Sequence, residues 1–323
     1  MKLASRSVLI ALGLLLGFLP VVHAADFPNK PIRWIVPFPP GGSNDILARY
    51  LGIKLTQRMG QQFVIDNRGG ANGIIGTQLA AQASADGYTL LMASTSYILN
   101  AAVRKLPYDI QKSFDPIASI GSSPNSLVTH PTQGFKSLQD LVSQAKAKPG
   151  SVNYAHTGVG GFNHFGGELF KKVAGIDMIP VPYKGGGPAM VDVMANNVPV
   201  MFTSVTQALP HVRSGRLKML AVGAAKRNAA VPDIPTVGEA GFPGYEMYVW
   251  WGVVVPAGVP RARADKLHRE MVAVLRDPDT RNWLASNAAA ETDLSTPAEV
   301  RKMFRTDLVK WTGVAKSAGI NLK

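Results

Sequence analysis

The sequence predicts an α/β protein of two lobes, and three observations carry that expectation. Apolar runs of strand length alternate with segments of helical periodicity from Asp26 onward. Glycine-rich turns at 37–44, 67–76 and 157–163 each lead straight from a strand into a helix. The alternation also restarts beyond residue 124, and an apolar run at 247–255 brings the chain back to its first part. With 323 residues, 46% of them hydrophobic, there is enough material for two packed units.

Residues 1–24 carry Lys2 and Arg6, an apolar run over 8–19, and Val22-His23-Ala24 as a cleavage signal. This is the pattern of a secretory signal peptide cut after Ala24 or Ala25, and its apolar run is too short for a membrane span. No cysteine follows to carry a lipid, a disulfide framework or a thiolate zinc site. The formal charge of +13 falls by the charges of Lys2 and Arg6 to +11. The basic residues are scattered, with no dense block and no nucleic-acid motif, so they read as solvated surface rather than a nucleic-acid face.

The first strand, Ile32–Val36, leads through Pro39, Pro40, Gly41 and Gly42 to a helix marked by Leu47, Tyr50, Leu51 and Leu55. Gly41 and Gly42 allow a ligand close to the backbone, and the free amides of a first helical turn favour an anion. Ser43 reads as a helix cap or an extra hydroxyl donor, Asn44 adds a polar group, and the turn holds no Lys or Arg. A small carboxylate held by neutral donors is the expected ligand; an ordinary capped turn is the plain alternative. Asp45 falls in the first helical turn, where it serves the dipole or a cap.

Strands at 63–66 and 88–93 follow, and between them the segment from Asn67 to Gly76 repeats the turn and opens a helix at 77–84. Ser94-Thr95-Ser96-Tyr97 would lie on the same edge, either offering hydroxyls and one aromatic face to the crevice or serving only as a polar connector. Strands over 117–129 carry the chain into the second lobe. There a helix at 137–147 and a strand at 151–155 precede His156, Thr157, Gly158, Val159, Gly160 and Gly161, which open another helix. This turn does not complete a dinucleotide fingerprint, because Asn163 stands where a third glycine is needed. Strands at 179–183, 200–202 and 217–222 and helices at 189–195 and 206–212 complete the lobe. Tyr183 and Lys184 lie in its second turn and Thr203 follows its third strand. Beyond Met247 the apolar strand contains Trp250 and Trp251, and helices at 261–275, 279–286 and from Pro297 brace the first lobe. Thr296, Pro297 and Glu299 spell a capping box.

Two or three charge-assisted hydrogen bonds at one turn contribute roughly 1.5–3 kcal/mol each, whereas association and ordering cost about 4–15 kcal/mol. A carboxylate gripped from both lobes reaches useful affinity, so the turns predict a clamshell binding protein.

Several segments resemble one family in order along almost the whole mature chain. They are Val36-Pro-Phe-Pro-Pro-Gly-Gly-Ser-Asn-Asp45, Asn67-Arg-Gly-Gly-Ala71, Asp86-Gly-Tyr-Thr-Leu-Leu91, Leu106-Pro-Tyr-Asp109, Val181-Pro-Tyr-Lys-Gly185 and Pro232-Asp-Ile-Pro-Thr236 through Glu246. They look like the Bug family, periplasmic solute-binding receptors of tripartite tricarboxylate transporters similar to the citrate receptor TctC. The resemblance implies a periplasmic binding protein-like Venus-flytrap fold, each lobe a mainly parallel sheet flanked by helices. Lobe 1 is expected at 25–123 and 247–323 and lobe 2 at 124–246. It implies a monomer without cofactor or metal that takes a carboxylate between the lobes and docks the large and small subunits of a membrane permease. Carried onto this sequence, the grip falls on residues from Pro39 to Asn44 and from Thr157 to Gly161, with Tyr183 and Lys184 nearby.

Family members often carry an acidic residue where Thr203 and Ser204 stand, so an amino-acid ligand is disfavoured here. His156 and Phe162 are bulkier than usual and are expected to narrow the pocket, and Gly69 replaces a common proline. A sensing receptor that docks a signalling partner shares the same fold. A periplasmic enzyme on a carboxylate is a third class, but the chain has no Gly-x-Ser-x-Gly elbow, cysteine nucleophile or His-Glu-x-x-His motif.

Overall fold

The computed structural model describes residues 27–317, 319 and 320. The expected signal segment, 1–24, lies outside them. The strands are β1 (Ile32–Val36), β2 (Phe63–Asn67), β3 (Thr89–Ser94), β4 (Phe114–Thr129), β5 (Asn153–His156), β6 (Ile179–Pro182), β7 (Val200–Ser204), β8 (Lys218–Gly223), β9 (Tyr248–Pro256) and β10 (Glu291–Thr292). The helices are α1 (Ser43–Met59), α2 (Ile74–Ala81), α3 (Thr95–Val103), α4 (Leu138–Ala147), α5 (Phe162–Ala174), α6 (Gly186–Met194), α7 (Val205–Arg213), α8 (Arg261–Arg276), α9 (Pro278–Asn287) and α10 (Pro297–Ser317).

The ladder runs β2-β1-β3-β9-β4-β7-β5-β6, with β8 and β10 also on β4. In the first lobe β1 pairs in parallel with β2 and β3, and β9 runs antiparallel to both β3 and the first part of β4. In the second, β5 pairs in parallel with β6 and β7, and the last part of β4 lies antiparallel between β7 and β8. The lobes therefore repeat one plan, β2-β1-β3-β9-β4 and β6-β5-β7-β4-β8: a parallel trio, one reversed strand, and a fifth strand in the trio's direction. In both lobes helices leave the carboxyl ends of the trio, which is where open α/β sheets hold ligands.

The central strands are apolar on both faces, as sheets covered by helices require. Ile32, Trp34, Ile35 and Val36 of β1 and Trp251, Val253, Val254 and Val255 of β9 are all buried. Helix α1 turns Leu47, Ala48, Leu51 and Leu55 onto this core. The expected box at the start of α10 forms, with Glu299 accepting from the Thr296 amide at 2.8 Å and Thr296 Oγ1 accepting from the Glu299 amide at 3.3 Å. The helix packs Phe304 and Trp311 inward.

Two readings change. The strands expected over 117–129 are one strand of 16 residues that belongs to both lobes. It contains Pro116, which has no amide to give a ladder, and the register with β9 shifts between Pro116 and Ala118. Residues 94–97 are not a connector, because α3 begins at Thr95 directly after β3.

Candidate functional site

The helices that leave the two parallel trios converge on a cavity of about 40 Å³ between the lobes. From the first lobe, Gly42, Ser43 and Asn44 at the start of α1 and Ser94 and Ser96 at the start of α3 line it, with Phe38 beside them. From the second come Phe162 and Asn163 of α5, Gly186 of α6 and Gln207 of α7, with Thr157. Val249 of β9 closes one side, and among the described residues no ionisable side chain lines the cavity.

Four of these five helices begin without a side-chain cap: α1 at Gly42, so that Ser43 is its first helical residue and not the cap, α3 at Ser94, α5 at Gly161 and α6 at Gly185. Helix starts leave amides with no intrahelical acceptor and carry the positive end of the macrodipole. In α1 the first intrahelical bonds are those of Asp45 and Ile46 to Gly42 O, so the amides of Ser43 and Asn44 are left for another acceptor. In α5 the Phe165 amide reaches Gly161 O, which leaves those of Asn163 and His164. Such a cage of neutral donors suits an anion small enough to be enclosed.

Buried polar groups hold the lining in place. The Asn44 carboxamide accepts the Trp251 indole N–H at 2.9 Å and donates to Ser94 Oγ at 3.3 Å. Thr157 donates to Asn163 Oδ1 at 2.9 Å, and Asn163 Nδ2 donates to Phe202 O. The lobes touch: the Phe162 amide donates to Ser96 Oγ at 3.2 Å, Arg104 donates to Val159 O, and Gly187 lies against Pro40 O.

Behind the α1 turn, Asp45 is 4% exposed. It accepts from the Gly41 amide at 3.1 Å, Arg49 Nε at 3.0 Å and Asn67 Nδ2 at 2.9 Å. Burial opposes its ionisation, but Arg49, Gly41 and Asn67 outweigh that and hold the carboxyl below its ordinary range. Gly41 takes φ +85°, a backbone state that L side chains rarely adopt.

Behind the α5 turn the acceptors of the turn's amides are imidazoles rather than a carboxylate. His156 Nδ1 accepts from the Gly158 amide at 3.1 Å and His164 Nδ1 from the Gly160 amide at 3.4 Å, with the two rings 4.8 Å apart. Burial, reinforced by the neighbouring ring of His164, pushes His156 down to about 4, and burial lowers His164 as well. Both imidazoles are neutral at pH 7.

Of the residues expected to bind, Gly42, Ser43, Asn44 and Thr157 line the cavity. Pro39, Pro40 and Gly41 lie on the seam with α6, against Gly185 and Gly187. Gly158 and Gly161 face Asn72 across the cleft, and Val159 meets Arg104. Asn67 braces Asp45, and His156 and Gly160 belong to the network beneath the turn. Tyr97 is buried and donates to Ile110 O at 2.7 Å. Tyr183 donates to Asp192 at 2.6 Å, and Lys184 is exposed. Thr203 donates to Gln207 Oε1 at 2.9 Å. The hydroxyls of Ser94 and Ser96, expected on this edge, do line the cavity, whereas the reading by sequence passed over Phe38, Asn163, Gly186, Gln207 and Val249 as site residues. One had a signal: Ser204-Val-Thr-Gln207 has capping-box spacing. Ser204 does accept the Gln207 amide at 3.3 Å, but the Gln207 side chain turns to Thr203 and the cavity.

Comparisons with known proteins agree with this fold. Residues 47–320 match the model of the tripartite tricarboxylate transporter family receptor, TctC. The chain is 36% identical to protein BugT of Bordetella pertussis over 310 residues, 95% of each chain. MatC from Rhodopseudomonas palustris with bound malate is 28% identical with a TM-score of 0.84, over 89% of this chain and 99% of that one. An R. palustris protein with adipate is 32% identical with a TM-score of 0.88, over 92% and 99%. With this fold, this ring of helix starts and these relatives, the chain belongs to the TctC family of periplasmic solute-binding receptors of tripartite tricarboxylate transporters and is a receptor rather than an enzyme.

Proposed function

We propose that this receptor captures a small carboxylate between its lobes and, as a monomer, hands it to the large and small subunits of a membrane permease. The observation that carries the reading is the ring of four uncapped helix starts around a cavity without a charged lining. The two R. palustris relatives hold adipate and malate, both small carboxylates, which supports it. In this reading lobe 1 comprises 25–123 and 247–323, lobe 2 comprises 124–246, and the ligand carboxylate meets the amides of Ser43, Asn44 and Asn163. Residues 39–42 and 157–161 shape the two turns, while Asn67, Tyr97, His156, Tyr183, Lys184 and Thr203 act from behind or beside them.

The test is a thermal-shift series of the mature protein against mono-, di- and tricarboxylates, with calorimetry on each hit, since a ligand of the native state raises apparent stability by mass action. Gly42→Asp separates binding from folding. Gly42 has φ −84° and ψ 165°, the extended geometry of a helix cap, and the nearest atom to an added Cβ is Pro39 O at 4.0 Å. The new carboxylate caps α1, so stability holds or rises by a few tenths of a kcal/mol, while anion affinity falls by at least roughly tenfold, about 1.4 kcal/mol. Unchanged affinity would remove the α1 turn from the site.

A further inference from the structure

Resting on the carboxylate reading above, we infer that Gln207 selects, among small carboxylates, those with a second hydrogen-bond acceptor, such as a keto oxygen or a ring nitrogen, and rejects those with an ammonium group. Gln207 is 4% exposed and lines the cavity. Its Oε1 accepts the Thr203 hydroxyl proton at 2.9 Å, which turns Nε2 the other way. Nε2 is buried and has no partner among the described residues. The backbone beneath it is pinned, because the Gln207 amide donates to Ser204 Oγ at 3.3 Å. The carboxamide is also pressed against the start of α6, where a Cβ on Gly186 would lie 2.6 Å from Oε1 and 2.8 Å from Nε2, so both of its polar atoms sit at the point where α6 meets the cavity.

A buried donor left without an acceptor destabilises the closed protein, so a ligand that supplies one gains an interaction that an alkyl group lacks. A site with unpaired polar groups discriminates against the analogue that leaves them unpaired more strongly than an apolar wall discriminates by shape. An ammonium group meets the opposite conditions. Among the described residues no Asp or Glu lines the cavity, and four helix starts present their positive ends to it. Gln207 and Thr203 thus form one device. The hydroxyl occupies the carboxamide oxygen, and only the nitrogen is left for the ligand.

Calorimetry with two matched series tests this: pentanoate, 4-oxopentanoate and 4-aminopentanoate, then benzoate, pyridine-3-carboxylate and 3-(aminomethyl)benzoate. The acceptor member of a series is expected to bind roughly tenfold tighter than the plain acid, with the ammonium member weakest. In Gln207→Leu the acceptor and plain members should converge. In Gln207→Glu the ammonium member should overtake the acceptor member. Urea midpoints show that each variant is folded, and the rank order within a series, rather than absolute affinity, is the readout. An acceptor preference that survives in folded Gln207→Leu overturns the role of Gln207. Equal binding of all three members by the unaltered protein overturns it too, while leaving the carboxylate site standing. Failure of every one of the six acids to bind overturns the selection of acceptor-bearing acids, while the carboxylate reading itself falls only if the di- and tricarboxylates of the thermal-shift series fail as well.

Discussion

The turns after β1 and β5 occupy equivalent places in the two lobes, yet their backbones are held by different chemistry. In the first lobe an ionised, buried Asp45 gathers the Gly41 amide, Arg49 and Asn67. In the second, neutral His156 and His164 accept the Gly158 and Gly160 amides through Nδ1. Each turn must spend one or two of its own amides on a support from behind and keep the rest for a ligand. A carboxylate support needs cations beside it, and Arg49 is available because it sits half-exposed on the outer side. Behind the second turn both imidazoles are buried, and an acceptor that carries no charge avoids the desolvation cost there. The first turn is therefore indifferent to mild acid, while the second is exposed to it.

The largest expected effect separates the two by pH. Burial lowers both histidines below their ordinary value of 6.5, His156 to about 4, so below pH 6.5 the unfolded chain binds more protons than the folded one. Stability from this source is fully present above about pH 6.5 and is lost as pH falls toward 4, by up to about 3 kcal/mol for His156. Urea unfolding across pH 4–7 checks it, and His156→Gln should flatten the slope. A profile that is level in that window would mean that the histidines do not support the turn. Next comes Asp45→Asn, which weakens three hydrogen bonds and is expected to cost about 1–3 kcal/mol at pH 7 without changing the pH 4–6.5 slope. If that slope changed as well, the two supports would be coupled.

Smaller effects distinguish the caps themselves. A Cβ on Gly161 would lie 2.4 Å from Asn72 Oδ1 across the cleft, whereas one on Gly42 meets nothing nearer than 4.0 Å. Gly161→Ala should therefore resist closure, lowering ligand affinity roughly tenfold, about 1.4 kcal/mol, with little change in urea midpoint. Gly42→Ala should change affinity by no more than about twofold, or about 0.4 kcal/mol. Equal losses in calorimetry would erase the distinction between the two caps.

Much of the fold was legible because its signals are local. The apolar runs of β1 and β9, the glycine turns and the Thr296–Glu299 box all act within a few residues, and each forms. Helix α3 escaped notice because Ser94-Thr95-Ser96 has turn-like chemistry, and only burial of Ile98, Leu99 and Val103 against the rest of the protein makes it a helix. Strand β10 has two residues and exists by pairing with Gly121 and Ser122 of β4, a partner far away in sequence. In the site, the turns could be read from glycine and serine, whereas the supports could not. Nothing in the spacing of His156 and His164 says whether the rings face a ligand or lie beneath the loop. Likewise the bond from Trp251 to Asn44 joins residues 207 positions apart.

Strand β4 and its neighbour β9 also order the assembly of the chain. The trio of the second lobe, β5 to β7, is continuous in sequence with the two strands that complete its sheet, β4 and β8. The first lobe has its trio early, but β9, which joins that trio to β4, lies beyond the whole of the second lobe, and α10, which packs on α3 and β4, comes later still. Such non-local pairing is slow to form. The part of the protein that leads in sequence is thus the part that finishes last, with the edge of β3 open until β9 arrives. Pulse-labelled hydrogen exchange during refolding should show β5–β8 protected ahead of β1–β3, and simultaneous protection would show that the lobes condense together.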